Sequence, residues 1–141
     1  MSDSLFAAMY GAPADAAEVV QALLDVEAGL AAAQAEAGVI PVGAAEAIAA
    51  CCRADRFDLD GLARRAVAAA TPIVPLVEHL RALVPAEHSA FVHRDATSQD
   101  ILDTALGLVA ARWLDRIAED LIEATATLAA LAREHRDTVQ M

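Results

Sequence analysis

Aromatic side chains are scarce in this chain, at 4% of 141 residues. With few rings and few β-branched residues there is little from which to build a pleated sheet, and an all-β fold is excluded. Basic charge is also short. Lys plus Arg number 10 against 21 Asp plus Glu, a formal net charge of -11. A nucleic-acid partner needs a basic surface to meet phosphate, so none is expected. An anionic membrane surface is disfavoured for the same reason. Otherwise the acidity reads as a solvated helical exterior. The two cysteines, Cys51 and Cys52, are adjacent. Neighbours on a helix point in different directions, so a disulfide between them would be strained. No further cysteine supplies a metal site or a disulfide framework, and two small buried thiols in a reducing cytosol are expected. The opening MSDSLFAAMYGAPAD has neither a basic start nor a long apolar run, so it is not read as a signal peptide. No stretch of about 18 residues is free of charge, so no membrane span is expected. The expected location is the cytoplasm.

What the chain has in abundance is alanine. The hydrophobic fraction is 57%, and much of it is this residue. Alanine is the strongest helix former, and an Ala/Leu/Glu/Arg vocabulary predicts an all-α fold.

Residues 1–14 read as irregular, broken by Gly11 and Pro13. Asp15 followed by Glu18 fits a capping box. A helix is predicted from about Ala16 to Ala37, with an apolar stripe of Val19, Leu23, Val26, Leu30, Ala33 and Ala37. Gly38 is its expected stop, with Pro41 just beyond. A shorter helix follows over about Val42–Arg53. Asp58 caps a third over Leu59–Ala70. Thr71 caps a fourth, with Pro72 in its first position and its end near Val84. Pro75 falls in the first turn, where a missing N–H costs little.

Residues 85–96, PAEHSAFVHRDA, read as a polar loop. Thr97 is the expected N-cap of a last helix reaching almost to Arg136. That is about forty residues, or roughly 55–60 Å. Its main stripe is Leu102, Leu106, Val109, Trp113, Ile117, Leu121, Ala124, Leu128 and Leu131, and a second apolar stripe includes Ile101, Ala105, Leu114 and Ile122. Globular helices average about 11–12 residues. One this long and apolar on two faces needs other long helices, from further chain or other subunits. A fragment or an obligate oligomer is expected.

The densest polar stretch is His93, Arg94, Asp95, Ala96, Thr97, Ser98, Gln99 and Asp100. It lies where the loop meets the long helix. A helix N-terminus offers unpaired N–H groups and partial positive charge, which suits a carboxylate. Thr97 and Ser98 add hydroxyls, and His93 and Arg94 add positive charge. Capping alone would also select Ser, Thr and Asp here, and a lone His in a polar loop is ordinarily solvated. Both readings stand on the residues alone. No residue in the sequence shows the partner set of a general base.

HRDATSQDILDTAL resembles the element H-x-G-x-T-S-x-D-x-x-D-T of the fumarase/aspartase superfamily, and its Thr-Ser-Gln-Asp form is typical of the 3-carboxy-cis,cis-muconate cycloisomerases. LLDVEAGLAAAQAEAGVIP, residues 23–41, resembles the first long helix of that family and its exit. TPIVPLVEHLRALVP resembles a segment that reads N-P-V-x-P-L-V in many members, and REHRDTVQM resembles the approach to a G-R-T element. The likeness covers essentially the whole chain, in order. It implies a small N-terminal helical domain, residues 1–96, followed by the first long helix of a central bundle, residues 97–141.

The resemblance also implies a site and a reaction. Thr97 and Ser98 would bind a substrate carboxylate, His93 would form the site wall beside Arg94, and Gln99 and Asp100 would support the loop. The substrate would be a small polycarboxylate. The chemistry would be cofactor-free lactonisation, reversible as a β-elimination, in protocatechuate degradation. Family sites draw on three subunits of a homotetramer. No catalytic residue is assigned to this chain, because the loop resembling G-S-S-x-M-x-x-K-x-N is absent from these 141 residues. The chain alone is therefore expected to be inactive. The alternatives are another superfamily lyase, such as an adenylosuccinate-lyase relative, or a non-catalytic truncated helical module. One position departs from the family pattern: Asp95 stands where the family has Gly, adding a negative charge where an anionic substrate is expected.

Overall fold

Alanine-rich segments broken by Gly, Pro and capping residues give five α-helices in the computed structural model, which describes residues 16–139. They are α1 (Ala16–Glu36), α2 (Val42–Cys51), α3 (Leu59–Ala69), α4 (Ile73–Leu83) and α5 (Ser98–Glu134). Short 3-10 turns occur at Ala54–Arg56 and Ser89–Phe91. No strand occurs among the described residues, and the fold is all-α. The irregular start and the Asp15–Glu18 capping box fall outside the described residues, wholly or in part. No helix among the described residues is long and apolar enough to cross a membrane.

The helix ends follow their local chemistry. At the end of α1, Gly38 adopts φ +71°. Its N–H donates to Ala35 O at 3.0 Å, and the Val39 N–H donates to Gln34 O at 2.8 Å, the paired bonds of a Schellman stop. Asp58 caps α3 by accepting from the Gly61 N–H at 3.0 Å. Pro72 has helical backbone angles, φ −74° and ψ −19°. Thr71 Oγ1 accepts from the Ile73 N–H at 3.3 Å, so Thr71 caps the entry to α4.

The chain divides into two units, up to Leu108 and from Val109 onward. In the first, α1 packs on α2, α3 on α4, and α2 on α4. Leu23, Leu24, Ile48, Ile73, Leu76, Leu80, Val92 and Ile101 are all buried at the centre. Gln21 ties α1 to the exit of α2. Its Nε2 donates to Cys52 O at 3.1 Å, and its Oε1 accepts from the Ala54 N–H at 2.9 Å. Both cysteines are free thiols and buried. Burial, with Glu27 nearby, pushes the Cys52 thiol up to about 12.

The buried line of α1 differs from the expected stripe. Val20, Leu23, Leu24, Glu27 and Ala31 are buried, whereas Ala33 and Ala37 are exposed and Val19, Val26 and Leu30 only half-buried. The helix is rotated by about one position relative to the apolar pattern. Glu27, a charged residue, occupies a core position on the buried line.

The second unit contains the remainder of α5. Leu114, Leu121, Ile122 and Leu128 are exposed there by 61–71%. Trp113 is half-buried, with the Arg116 guanidinium 5.8 Å from its ring centre.

Ala70, which closes α3, stands at φ +56° without the glycine that such a position favours. Ala70→Gly is expected to raise stability by about 1 kcal/mol, read as a shift in the urea midpoint.

Candidate functional site

The loop from Pro85 to Thr97 is held from two sides. From α4, Arg81 Nη2 donates to Val92 O at 3.0 Å. From α1, Gln34 Nε2 donates to Arg94 O at 2.6 Å. Next to these anchors the backbone turns twice through the left-handed region, at His93 (φ +56°) and Asp95 (φ +54°). Such angles are costly for residues other than glycine, so the surrounding bonds must over-determine them.

One of those bonds joins His93 Nδ1 to Glu27 Oε1 at 2.7 Å, between residues 66 positions apart. The Glu27 side chain is 0% exposed and that of His93 14%. Burial holds the Glu27 carboxyl above the usual range, while His93 and Arg81 pull it back down. Its second oxygen, Oε2, is buried without a hydrogen-bond partner. His93 is therefore not a solvated loop histidine. It has the acidic partner that the sequence did not reveal.

At the start of α5 the capping is reciprocal. Thr97 Oγ1 accepts from the Gln99 N–H at 3.3 Å, and Asp100 Oδ2 accepts from the Thr97 N–H at 3.1 Å. Thr97 retains an O–H that can donate outward.

A cavity of about 260 Å³ opens beside this turn, lined by Ile73, Val74, Val77, Glu78, Arg81, His93 and Ser98. It has an apolar floor and converging donors from α4, the loop and α5. Glu78 is its one anionic group, one turn before Arg81. Of the residues picked out from the sequence, His93 and Ser98 meet here. Thr97 caps at the helix entrance. Arg94 lies over the Phe91 ring at 5.7 Å with its Nε 3.4 Å from Asp95 Oδ2, and Gln99 donates to Asp103 Oδ1 at 2.6 Å. None of these three lines the cavity. Arg81 and Glu27 were missed. Glu27 could have been found as a lone carboxylate on the line Val20, Leu24, Glu27, Ala31; Arg81 carries no comparable signal.

Asp95 lines a different cavity of about 460 Å³, together with Val26, Leu30, Ile101 and Thr104. Asp95 is therefore not among the residues that line the cavity with His93 and Ser98. No group of three or more His, Cys, Asp or Glu side chains able to hold a metal ion occurs among the described residues.

A family model described as lyase matches residues 7–141. The 3-carboxy-cis,cis-muconate cycloisomerase of Bradyrhizobium diazoefficiens is 40% identical, over 100% of this chain and 32% of that protein. The nitrosuccinate lyase of Streptomyces davaonensis is 46% identical over 83% of this chain and 25% of its own length. Among solved structures, the 3-carboxy-cis,cis-muconate lactonizing enzyme of Pseudomonas putida superposes with a TM-score of 0.90 at 39% identity, covering 96% of this chain and 32% of that one. The chain thus spans about a third of the length of these cycloisomerase relatives.

The raised carboxyl of Glu27 has a consequence for stability. A group whose folded pKa lies above its unfolded value contributes stability at low pH, and that stability is lost as pH rises through the folded value. Native protein should therefore lose stability relative to Glu27→Gln as pH increases from about 4.5, the ordinary glutamate value. Paired urea titrations across that range will read the difference, and a constant gap between the two proteins would contradict it.

Proposed function

This chain belongs to the lyase family of the fumarase/aspartase superfamily, and from that premise we propose that it carries the N-terminal portion of a 3-carboxy-cis,cis-muconate cycloisomerase-like enzyme. The observation that carries the reading is the convergence of Arg81, His93 and Ser98 on one cavity at the N-terminus of α5, where Ser98 belongs to the Thr-Ser-Gln-Asp element.

The proposed reaction needs no cofactor. A carboxylate oxygen of the substrate adds to a carbon of a double bond in the same molecule, forming the lactone C–O bond. The electron pair of that double bond takes up a proton at the neighbouring carbon. In reverse, that proton leaves, the C–O bond breaks and the double bond returns. Negative charge builds on the carboxylate attached to the protonated carbon, which becomes an aci-carboxylate. Donors aimed at that group stabilise the transition state more than the ground state.

This chain would supply such donors. Arg81 offers a planar cation suited to a carboxylate. Ser98 offers a hydroxyl, and the opening N–H groups of α5 add positive potential, with Thr97 at the cap. His93 forms the wall, and Arg94 and Gln99 act at the loop and helix entrance. Residues 97–141 would be the first long helix of a central bundle. The full-length enzyme would be a cytoplasmic homotetramer of protocatechuate degradation.

Isotope-labelled chain titrated with 3-carboxy-cis,cis-muconate should show shifts at His93, Ser98 and Gln99. Arg81→Ala should weaken binding roughly tenfold, the equivalent of about 1.4 kcal/mol. No lactone should form by ultraviolet absorbance. Preferential binding of adenylosuccinate would favour the adenylosuccinate-lyase alternative, and silence towards both ligands would sink the site.

The apolar face of α5 beyond Val109 provides a separate check on assembly. Sedimentation should reveal concentration-dependent self-association, reduced by the double change Leu121→Glu and Leu128→Glu. A native monomer at every concentration would count against the oligomer.

A further inference from the structure

We infer that Glu27 is a positioning residue: it holds the Nδ1–H of His93, so that Nε2 is the ring nitrogen that meets a carboxylate ligand in the cavity beside Arg81 and Ser98. The inference deepens the proposed carboxylate site and rests on that reading of the cavity.

Three observations carry it. The contact is short, 2.7 Å, and links α1 to the loop before α5. The Glu27 side chain is fully buried, and its Oε2 has no partner. A buried carboxylate in that state is a poor device for stability, since an apolar residue between Leu24 and Ala31 would avoid the desolvation cost. Finally, His93 adopts a left-handed backbone, and its ring both reaches Glu27 and lines the cavity. The burial cost and the strained backbone converge on the orientation of one imidazole.

The bond also selects a tautomer. One proton lies between the two groups, and an ionised Glu27 carboxylate can only accept in that hydrogen bond. The proton therefore belongs on Nδ1, and Nε2 carries the lone pair. A ligand carboxylate arriving at Nε2 requires a second proton there, taken from solvent. The imidazolium then bridges two carboxylates, donating through Nδ1 to Glu27 and through Nε2 to the ligand. The charged groups around it are Glu27 from α1 and Glu78 and Arg81 from α4; Ser98, from α5, is neutral.

Two measurements on the full chain test this. Long-range proton–nitrogen NMR without ligand, in mildly alkaline buffer, should find His93 protonated at Nδ1 and bare at Nε2. Glu27→Gln should shift the ring towards the other tautomer. A native ring protonated at Nε2 and bare at Nδ1 overturns the inference, and that result needs no variant to fold.

The second measurement is calorimetry with propane-1,2,3-tricarboxylate in buffers of different ionisation heat. Native protein should take up a proton on binding. Glu27→Gln should bind roughly tenfold more weakly, a loss typical of supporting partners, with little uptake. Binding that involves no proton uptake and is indifferent to Glu27→Gln overturns the role of Glu27 while leaving the cavity reading in place. No binding by native protein overturns the cavity reading, and the tautomer still decides whether Glu27 positions the ring.

Discussion

A carboxylate removed from water must find a cation or a proton, and Glu27 finds His93 at 2.7 Å. Much of the first unit's geometry is arranged around that requirement. The bond fixes the face α1 turns inward, because Glu27 sits among Leu23, Leu24 and Ala31 on the buried line. It fixes the loop before α5, because His93 must adopt φ +56°. Two further bonds brace the same stretch, Gln34 to Arg94 O and Arg81 to Val92 O. The start of α5 is thereby held against α1 and α4 through side chains that reach across the loop.

The opening turn of α5 shows how capping and anion binding coexist. Thr97 accepts from the Gln99 N–H, and Asp100 accepts from the Thr97 N–H. These two bonds satisfy orphan donors without consuming the Ser98 hydroxyl. Capping thus sets the register that brings Ser98 to the cavity wall beside His93. The two explanations of this polar stretch are successive levels of one arrangement: the cap orders the turn, and the ordered turn presents donors.

The helices were legible because their signals are local. The Gly38 stop, the Asp58 cap, the Thr71-Pro72 entry and the Thr97 cap all lie where the residue types place them. The helix ends at Cys51 and Glu134 fall two residues short of the expected ones, within ordinary fraying. The facing of α1 was not legible, because periodicity assigns apolar residues to the interior and cannot foresee a buried Glu whose partner lies 66 positions away. His93 and Ser98 were found through the motif. Arg81 was not, because its reach to Val92 O depends on how α4 packs against the loop. Non-local pairing separates what could be read from what could not.

The departure at Asp95 can be weighed on the same geometry. A glycine at this position would relieve the left-handed backbone, so Asp carries a conformational cost. Its negative charge would be the graver matter if it faced the donors. Two left-handed residues, separated only by Arg94, take successive side chains to different places. His93 lines the cavity with Arg81 and Ser98, whereas Asp95 lines the one with Leu30 and Ile101. The Arg94 guanidinium lies beside the Asp95 carboxylate and offsets part of its field. The substitution therefore acts on the loop's backbone and on the neighbouring apolar cavity more than on the carboxylate-binding groups. An anion meeting Arg81 and Ser98 would face the negative charge of Glu78, which lines the same cavity.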